Sequence, residues 1–139
     1  MAKQDLILLE DIMYYGRYYD GKQRWWYDLR KHSVLSAEEL QTCYGWNAED
    51  QLPDSFSFLP LFQTDMLQLQ REFMKDYNAG TVEAIMAAEK VPYDTAFNIF
   101  VETPPELFAR WKTFEKERLL KDAAAWCKKN HLPYGRKKQ

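Results

Sequence analysis

Residues 23–40 read QRWWYDLRKHSVLSAEEL, and this stretch decides the fold class. Its three consecutive aromatic residues are typical of a half-buried strand, so we predict a strand over residues 23–29. The basic triplet at 30–32 is predicted to form a turn, and residues 33–35 a short returning strand. The segment is therefore predicted to be a β-hairpin.

The sequence after the hairpin predicts a helix and a third strand. Ser36 followed by Glu39 is a capping-box pattern, which predicts a short helix over residues 37–43. Hydrophobic residues then alternate over 56–61, which predicts a strand that stops at Pro60. We therefore expect a small antiparallel sheet made of the hairpin and a third strand.

Most of the remaining chain has the three- to four-residue apolar spacing of amphipathic helices. We predict a first helix over residues 4–16. Further helices are predicted to begin at Thr64 or Asp65, at Thr81, at Pro92 and after a Thr103 N-cap. The expected fold is a single α+β domain over residues 1–135, in which the small antiparallel sheet packs against a bundle of about four helices. Residues 136–139 are predicted to be a flexible basic tail.

The composition indicates one globular domain without a membrane-spanning helix. The chain has 139 residues, of which 46% are hydrophobic and 16% aromatic, enough for one globular core and too few for two. Nineteen Lys and Arg residues oppose 21 Asp and Glu residues, so the formal net charge of −2 does not mark a nucleic-acid binder. The sequence has no signal-peptide pattern and no apolar run of the roughly 20 residues that a membrane helix needs. We expect a cytoplasmic protein that does not bind a membrane.

Residues that commonly catalyse reactions or bind metals are sparse. His32 and His131 are predicted on the surface, and Cys127 lies on the apolar stripe of the last helix. Adjacent acidic residues such as Glu10 and Asp11 are interpreted as solvated charge. The sequence also lacks a GxSxG elbow, a Gly-rich phosphate loop and a CxxC motif. We therefore expect no enzymatic activity, no cofactor and no metal.

Short motifs near the hairpin and spaced apolar residues in the C-terminal third form a recognisable pattern. The motifs are WYDL at 26–29, VLS at 34–36 and EE at 38–39, and the spaced residues are Ile85, Phe97, Phe100, Trp111, Phe114 and Trp126. The pattern resembles a bacterial family of uncharacterised proteins whose members end in a helix pair and a terminal helix with Trp, Phe and Trp. This resemblance implies an α+β fold and a bacterial origin, and it supplies no catalytic residue.

The densest aromatic cluster lies between residues 14 and 27, where seven of fourteen residues are Tyr or Trp. In a strand, Trp25 and Tyr27 face one side and Trp26 faces the other. One interpretation is that both sides are packed, with the tyrosine hydroxyls reaching water. The other is a docking surface, since exposed Tyr, Trp and Arg are enriched at interaction hot spots. We predict an interaction face, for an unknown protein partner or a second copy of the chain, made of Tyr14, Tyr18, Arg24, Trp25, Trp26 and Tyr27.

Positive charge is concentrated towards the end of the sequence. Residues 110–139 hold ten Lys and Arg residues against three Asp and Glu residues, a net charge of +7. A basic helix and tail of this kind can contact phosphates, so nucleic-acid binding is the alternative function. The residues predicted for it are Lys128, Lys129, Arg136, Lys137 and Lys138. The other interpretation of these lysines is the solvated face of an amphipathic helix.

Overall fold

The computed structural model describes residues 6–19, 24–45, 58–78 and 80–137. Its strands are β1 (Ile7–Leu8), β2 (Arg17–Tyr18), β3 (Trp25–Asp28), β4 (Ser33–Ser36), β5 (Phe58–Pro60), β6 (Thr64–Asp65) and β7 (Tyr134–Gly135). Its α-helices are α1 (Leu9–Ile12), α2 (Ala37–Tyr44), α3 (Met66–Phe73), α4 (Gly80–Glu89), α5 (Tyr93–Glu102) and α6 (Pro105–Lys129). Short 3₁₀ turns cover Met13–Gly16 and Met74–Asp76. The predicted α+β class is confirmed.

Three strands form an antiparallel sheet in the order β4-β3-β5. Trp26 in the central strand lies opposite Leu35 on one side and Pro60 on the other. The predicted hairpin and third strand are therefore confirmed, although residues 56 and 57 of the predicted strand lie outside the described residues. Pro60 belongs to an edge strand, where a residue without an N–H costs the sheet no internal hydrogen bond.

The alternation of aromatic residues in β3 places large side chains on both faces of the sheet. Trp26 packs with Leu40 of α2 and Phe58 of β5 in a small separate cluster. Tyr27 belongs to the main core, and Trp25 packs against the same core from its edge. Both faces of the central strand are thus covered, and the sheet is held between α2 and the remaining helices.

Helix α2 begins with the predicted capping box. The Ser36 hydroxyl accepts a hydrogen bond from the Glu39 N–H at 3.1 Å, and the Glu39 carboxylate accepts one from the Ser36 N–H at 3.1 Å. Gly45 ends the helix with a left-handed φ of 65°, a conformation that glycine adopts without strain. The helix prediction is confirmed, with one further residue, Tyr44.

Aromatic contacts hold the helical half together. The rings of Phe97 in α5 and Trp111 in α6 meet edge to face at 4.7 Å between centroids, and Phe73 of α3 contacts both rings. Further along α6, Leu119 and Cys127 are fully buried. Such edge-to-face pairs add to the stabilisation that comes from burying apolar area. Helix α6 therefore forms the central element of the core.

The predicted Thr103 N-cap of α6 is wrong. Thr103 has helical dihedrals and lies at the C-cap of α5, where its hydroxyl donates a hydrogen bond to the Ile99 carbonyl at 2.8 Å. An N-cap residue needs extended dihedrals, which Pro104 has, with Pro105 in the first turn. Residues 103–105 therefore end α5 and begin α6.

The helix predicted over residues 4–16 is also wrong in most of its length. The described part begins with strand β1, followed by a four-residue α1, a 3₁₀ turn and strand β2. Strand β1 pairs in parallel with β7, and β2 pairs in parallel with β6. These distant partners extend the backbone at both ends of the segment and override the local helical spacing. Leu9, Ile12 and Met13 are nevertheless buried, as that spacing predicts.

Candidate functional site

A cleft opens where the 3₁₀ turn Met13–Gly16 connects α1 to β2. The turn buries Met13 and Gly16 and leaves Tyr14 and Tyr15 exposed. The cavity has a volume of about 650 Å³. We call it the aromatic cleft; its lining residues are Glu10, Asp11, Tyr14, Tyr15, Arg17, Tyr19 and Trp25.

Contacts between neighbouring side chains fix the walls of the aromatic cleft. The Tyr15 ring meets the Trp25 ring edge to face, with 4.8 Å between centroids. The Arg17 guanidinium lies 5.2 Å from the centroid of the Tyr14 ring, and its Nε donates a hydrogen bond to the Tyr14 carbonyl at 3.1 Å. Tyr14 is still 44% exposed and Tyr15 42% exposed. The cleft therefore presents two fixed aromatic rings to solvent.

A second, smaller cavity of about 280 Å³ adjoins the aromatic cleft and shares Asp11 and Tyr15 with it. Leu6 also lines this cavity, together with Tyr27 and His32, whose hydroxyl and Nδ1 are 3.3 Å apart. Among the described residues, five large hydrophobic side chains are exposed, and three of them are Leu6, Tyr14 and Tyr15. The exposed apolar surface is thus concentrated on the N-terminal segment.

Four residues of the predicted interaction face are at least partly accessible. Tyr14 and Trp25 line the aromatic cleft. Tyr18 is half-buried in β2, and Arg24 is exposed, with its guanidinium 5.8 Å from the centroid of the Trp26 ring. The structure therefore brings Tyr14 and Trp25 together and does not place Tyr18 or Arg24 in the cleft.

The other two predicted interface residues are buried, although Tyr27 contributes to the wall of the second cavity. Trp26 and Tyr27 are each 3% exposed, because they fill the two faces of the central strand. They are core residues, and their place in the predicted interaction face is wrong. Tyr15 and Tyr19 take their place in the cleft. The available signal was their position in the same aromatic cluster, outside the predicted strand.

The basic residues at the end of the chain are anchored by the carboxylates of α1. Arg136 Nε donates a hydrogen bond to Glu10 Oε2 at 2.7 Å, and the Lys137 N–H donates one to Glu10 Oε1 at 3.0 Å. Lys137 Nζ lies 2.7 Å from Asp11 Oδ1. Residues 136 and 137 therefore contact the carboxylates of α1, so Glu10 and Asp11 are paired and not merely solvated charges. Residues 138 and 139 lie outside the described residues, and the flexibility of the tail stays a prediction.

The remaining basic residues of the nucleic-acid alternative have different positions. Lys128 and Lys129 are exposed in the last turn of α6, where positive charge complements the helix dipole. Lys138 lies outside the described residues. Of the four described residues, two are therefore paired with carboxylates at the edge of the aromatic cleft.

The anchoring of the tail changes the acidity of Glu10. Burial alone would raise the pKa of this carboxyl group. The hydrogen bonds from Arg136 and from the backbone N–H groups of Lys137 and Glu10, with the charge of Arg136, outweigh burial and lower the pKa from 4.5 to about 2. The contact is thus between fully charged groups at neutral pH.

This lowered pKa predicts a loss of stability in acid. Above pH 4.5 Glu10 is ionised in both the folded and unfolded chain, and the ion pair stabilises the fold. Between pH 4.5 and about 2 the unfolded chain binds the proton first, so the stabilisation disappears. We expect Glu10→Gln to cost about 1 kcal/mol at pH 7, allowing for solvent screening of the exposed Arg136, and almost nothing near pH 2.

Urea denaturation of wild type and Glu10→Gln at a series of pH values measures this difference. The matched control is Glu89→Gln, which removes an exposed carboxylate from α4. A cost of Glu10→Gln that is the same at pH 7 and at pH 2.5 would contradict the assignment of the lowered pKa to Glu10.

A buried polar cluster lies deeper, between α3, α5 and α6. Gln70 Nε2 donates a hydrogen bond to Asp94 Oδ1 at 2.6 Å. Gln70 Oε1 and Glu115 Oε1 are buried without a hydrogen-bond partner among the described residues, and Lys112 Nζ lies 3.6 Å from Glu115 Oε1, too far for one. Burial, followed by the charges of Asp94 and Glu115, raises the pKa of Tyr19. This cluster therefore contains two buried acceptor oxygens that receive no hydrogen bond from the described residues.

The two histidines and Cys127 differ in their exposure to solvent. His32 and His131 are exposed, as predicted, and both have left-handed backbone dihedrals. Cys127 is fully buried, as predicted, and burial raises the pKa of its thiol to about 11, so the thiol stays protonated at neutral pH. In the ranges that the structure describes, no group of three or more His, Cys, Asp or Glu residues is placed to hold a metal ion. Within the same ranges, no helix is both long enough and apolar enough to cross a membrane.

The residues behind the predicted family resemblance serve packing in this structure. Trp26 fills the small cluster beneath α2, and Trp111 and Trp126 are buried on one side of α6. The resemblance itself stays a prediction. Comparison of the chain with protein-family models, with curated proteins and with solved structures gives no match.

Proposed function

We propose that the chain is a non-catalytic, cytoplasmic interaction module that binds a protein partner through the aromatic cleft. The observation that carries this proposal is the pair of exposed rings, Tyr14 and Tyr15, beside a cavity lined by Tyr19 and Trp25. Each ring leaves apolar area in water that a partner would bury. Tyr and Trp are also the residue types that contribute most to binding at protein interfaces.

The contacts within the cleft support the same proposal. Tyr14 is held by Arg17, and Tyr15 is held by Trp25, through the contacts described above. Side chains that are fixed before binding lose less conformational entropy when a partner arrives. Tyr14 and Tyr15 each have a neighbouring side chain that favours the orientation of the ring seen here.

Nucleic-acid binding by the C-terminal basic residues remains the second proposal. Its support is weaker, because Arg136 and Lys137 already neutralise Glu10 and Asp11. Those carboxylates would also repel phosphates close to the tail. Of the predicted nucleic-acid-binding residues that the structure describes, only Lys128 and Lys129 are exposed and not paired with a carboxylate.

Site-specific photo-crosslinking tests the proposed interface. A photoreactive amino acid replaces Tyr14 in one variant and Tyr44 in the control, and the chain is expressed in the organism that encodes it. Tyr44 is a comparably exposed tyrosine on α2 that lines neither cavity. We expect one protein to be crosslinked from position 14 and not from position 44.

The crosslinked partner is then purified and titrated with wild type, Tyr14→Ala and Tyr44→Ala. We expect Tyr14→Ala to weaken binding about tenfold or more, as truncation of an interface hot spot does, and Tyr44→Ala to leave it unchanged. A partner that binds all three proteins equally would refute the aromatic cleft as the interface. Salt-sensitive binding of DNA or RNA that depends on Lys128 and Lys129 would favour the second proposal.

A further inference from the structure

The carboxylates at the edge of the aromatic cleft bind a basic segment of the chain itself. We infer that the cleft recognises an extended Arg-Lys segment of its protein partner, and that residues 136–137 occupy the same carboxylates until the partner displaces them. This inference rests on the proposed function and names the chemistry of the partner.

The contacts of Glu10 and Asp11 select an arginine followed by a lysine. Glu10 uses one oxygen for the Arg136 side chain and the other for the backbone N–H of Lys137. Asp11 binds the ammonium group of Lys137. Two neighbouring carboxylates thus bind two consecutive basic side chains and the peptide group between them, which specifies an extended Arg-Lys pair.

Strand pairing supplies contacts that do not depend on the partner's sequence. Tyr134 and Gly135 run parallel to Ile7 and Leu8, and the Ile7 N–H donates a hydrogen bond to the Pro133 carbonyl at 3.0 Å. A partner segment that replaced the chain's own residues would pair with β1 in the same way. Addition of a strand to a sheet edge is a common mode of peptide recognition, and the edge that the partner would use here is the one that β7 occupies.

The chain's own segment is held weakly enough to be exchanged. The side chains of Arg136 and Lys137 are 50% and 53% exposed, and ion pairs at such exposed positions contribute little and are screened by salt. Beyond Asp11, the ring of Tyr15 is 42% exposed, and aromatic rings bind cations, as the contact of Arg17 with Tyr14 shows. A partner with further basic residues gains these contacts as well.

Competition between a peptide and the chain's own segment tests the inference. The probe is the fluorescent peptide LPYGRKKQ, which has the sequence of residues 132–139. It is titrated by fluorescence anisotropy with the full chain and with the full chain carrying Arg136→Ser and Lys137→Ser. We expect the doubly substituted chain to bind at least about tenfold more tightly, because the side chains of residues 136 and 137 no longer compete for Glu10 and Asp11 at a high effective concentration.

Two further variants establish which carboxylates are responsible. Adding Glu10→Gln and Asp11→Asn to the doubly substituted chain should abolish peptide binding. Adding Glu83→Gln and Glu89→Gln, which remove two exposed carboxylates from α4, should leave it unchanged. A control peptide with serine in place of Arg and the following Lys should not bind.

Three results would overturn the inference. The first is equal binding of the peptide by wild type and by the doubly substituted chain. The second is that Glu83→Gln with Glu89→Gln weakens peptide binding as much as Glu10→Gln with Asp11→Asn. The third is a wild-type dimer that becomes a monomer after Arg136→Ser and Lys137→Ser, which would assign the site to a second copy of the chain.

If the peptide fails to bind while Tyr14→Ala still weakens binding of the crosslinked partner, only the Arg-Lys inference fails. If the peptide binds and Tyr14→Ala does not affect the crosslinked partner, only the proposed function fails.

Discussion

Replacing Trp126 by alanine is expected to lower the free energy of unfolding by about 3–5 kcal/mol. The indole of Trp126 is 7% exposed, and its N–H donates a hydrogen bond to the Pro60 carbonyl of β5 at 3.0 Å. Its ring also meets Tyr27 of β3 edge to face, with 5.9 Å between centroids. One side chain of α6 therefore contacts both the central and an edge strand of the sheet, and its removal leaves a cavity between them.

Chemical denaturation followed by circular dichroism measures this loss. Trp126→Phe should cost less than Trp126→Ala, since it keeps an aromatic ring and removes the hydrogen-bond donor. Ile99→Ala, at an exposed position of α5, is the surface control and should cost little. A cost of Trp126→Ala below about 1 kcal/mol would contradict the joining of α6 to the sheet through this residue.

Gly16→Ala is expected to destabilise the fold by about 1–3 kcal/mol through a direct clash. A Cβ atom at residue 16 would overlap the ring of Phe62, which lies against the glycine. Gly16 does not have a left-handed φ, so alanine would otherwise be the better residue in this 3₁₀ turn. The contact with Phe62 therefore decides the sign of the effect.

A double-mutant cycle separates the clash from the backbone effect. We expect Gly16→Ala to become neutral or slightly stabilising when Phe62→Ala is also present, because the ring that obstructs the Cβ atom is gone. The four proteins are compared by urea denaturation. If Gly16→Ala costs the same with and without Phe62, the close approach of this ring is not the reason for glycine at position 16.

The elements that could be predicted from the sequence are those fixed by neighbouring residues. The β3–β4 hairpin followed from the run of aromatic residues, and the start of α2 followed from Ser36 and Glu39. The burial of Cys127 followed from its place on the apolar stripe of α6. In each case the signal and the structure lie within a few residues of each other.

The elements that could not be predicted are those fixed by distant residues. Helical spacing over 4–16 gave no indication that β1 pairs with β7 or that β2 pairs with β6. The ion pair between Glu10 and Arg136 joins residues 126 positions apart. A single sequence shows two complementary charges and does not show that they meet, so the prediction of a flexible tail did not include this contact.

The candidate site was predictable in location and not in detail. The aromatic cluster indicated the segment that contains Tyr14 and Trp25, and both line a cavity in the structure. The accessibility of each aromatic residue depends on which elements pack against the sheet. Trp26 is buried under α2, and Tyr27 is buried in the main core. The carboxylates of α1 became part of the site only through the contacts with the tail.

The two parallel pairings of the N-terminal segment also determine the order in which the chain assembles. Contacts within and between α4 and α5 join residues close in sequence and can form early, whereas β1 and β2 each need a partner strand far along the chain. Each pairing spans only two residues and closes a long loop, so the segment is expected to dock late, when Leu9, Ile12 and Met13 join the main core. The aromatic cleft would then exist only in molecules that have completed folding, so a partner that binds there would favour the finished fold over every earlier state.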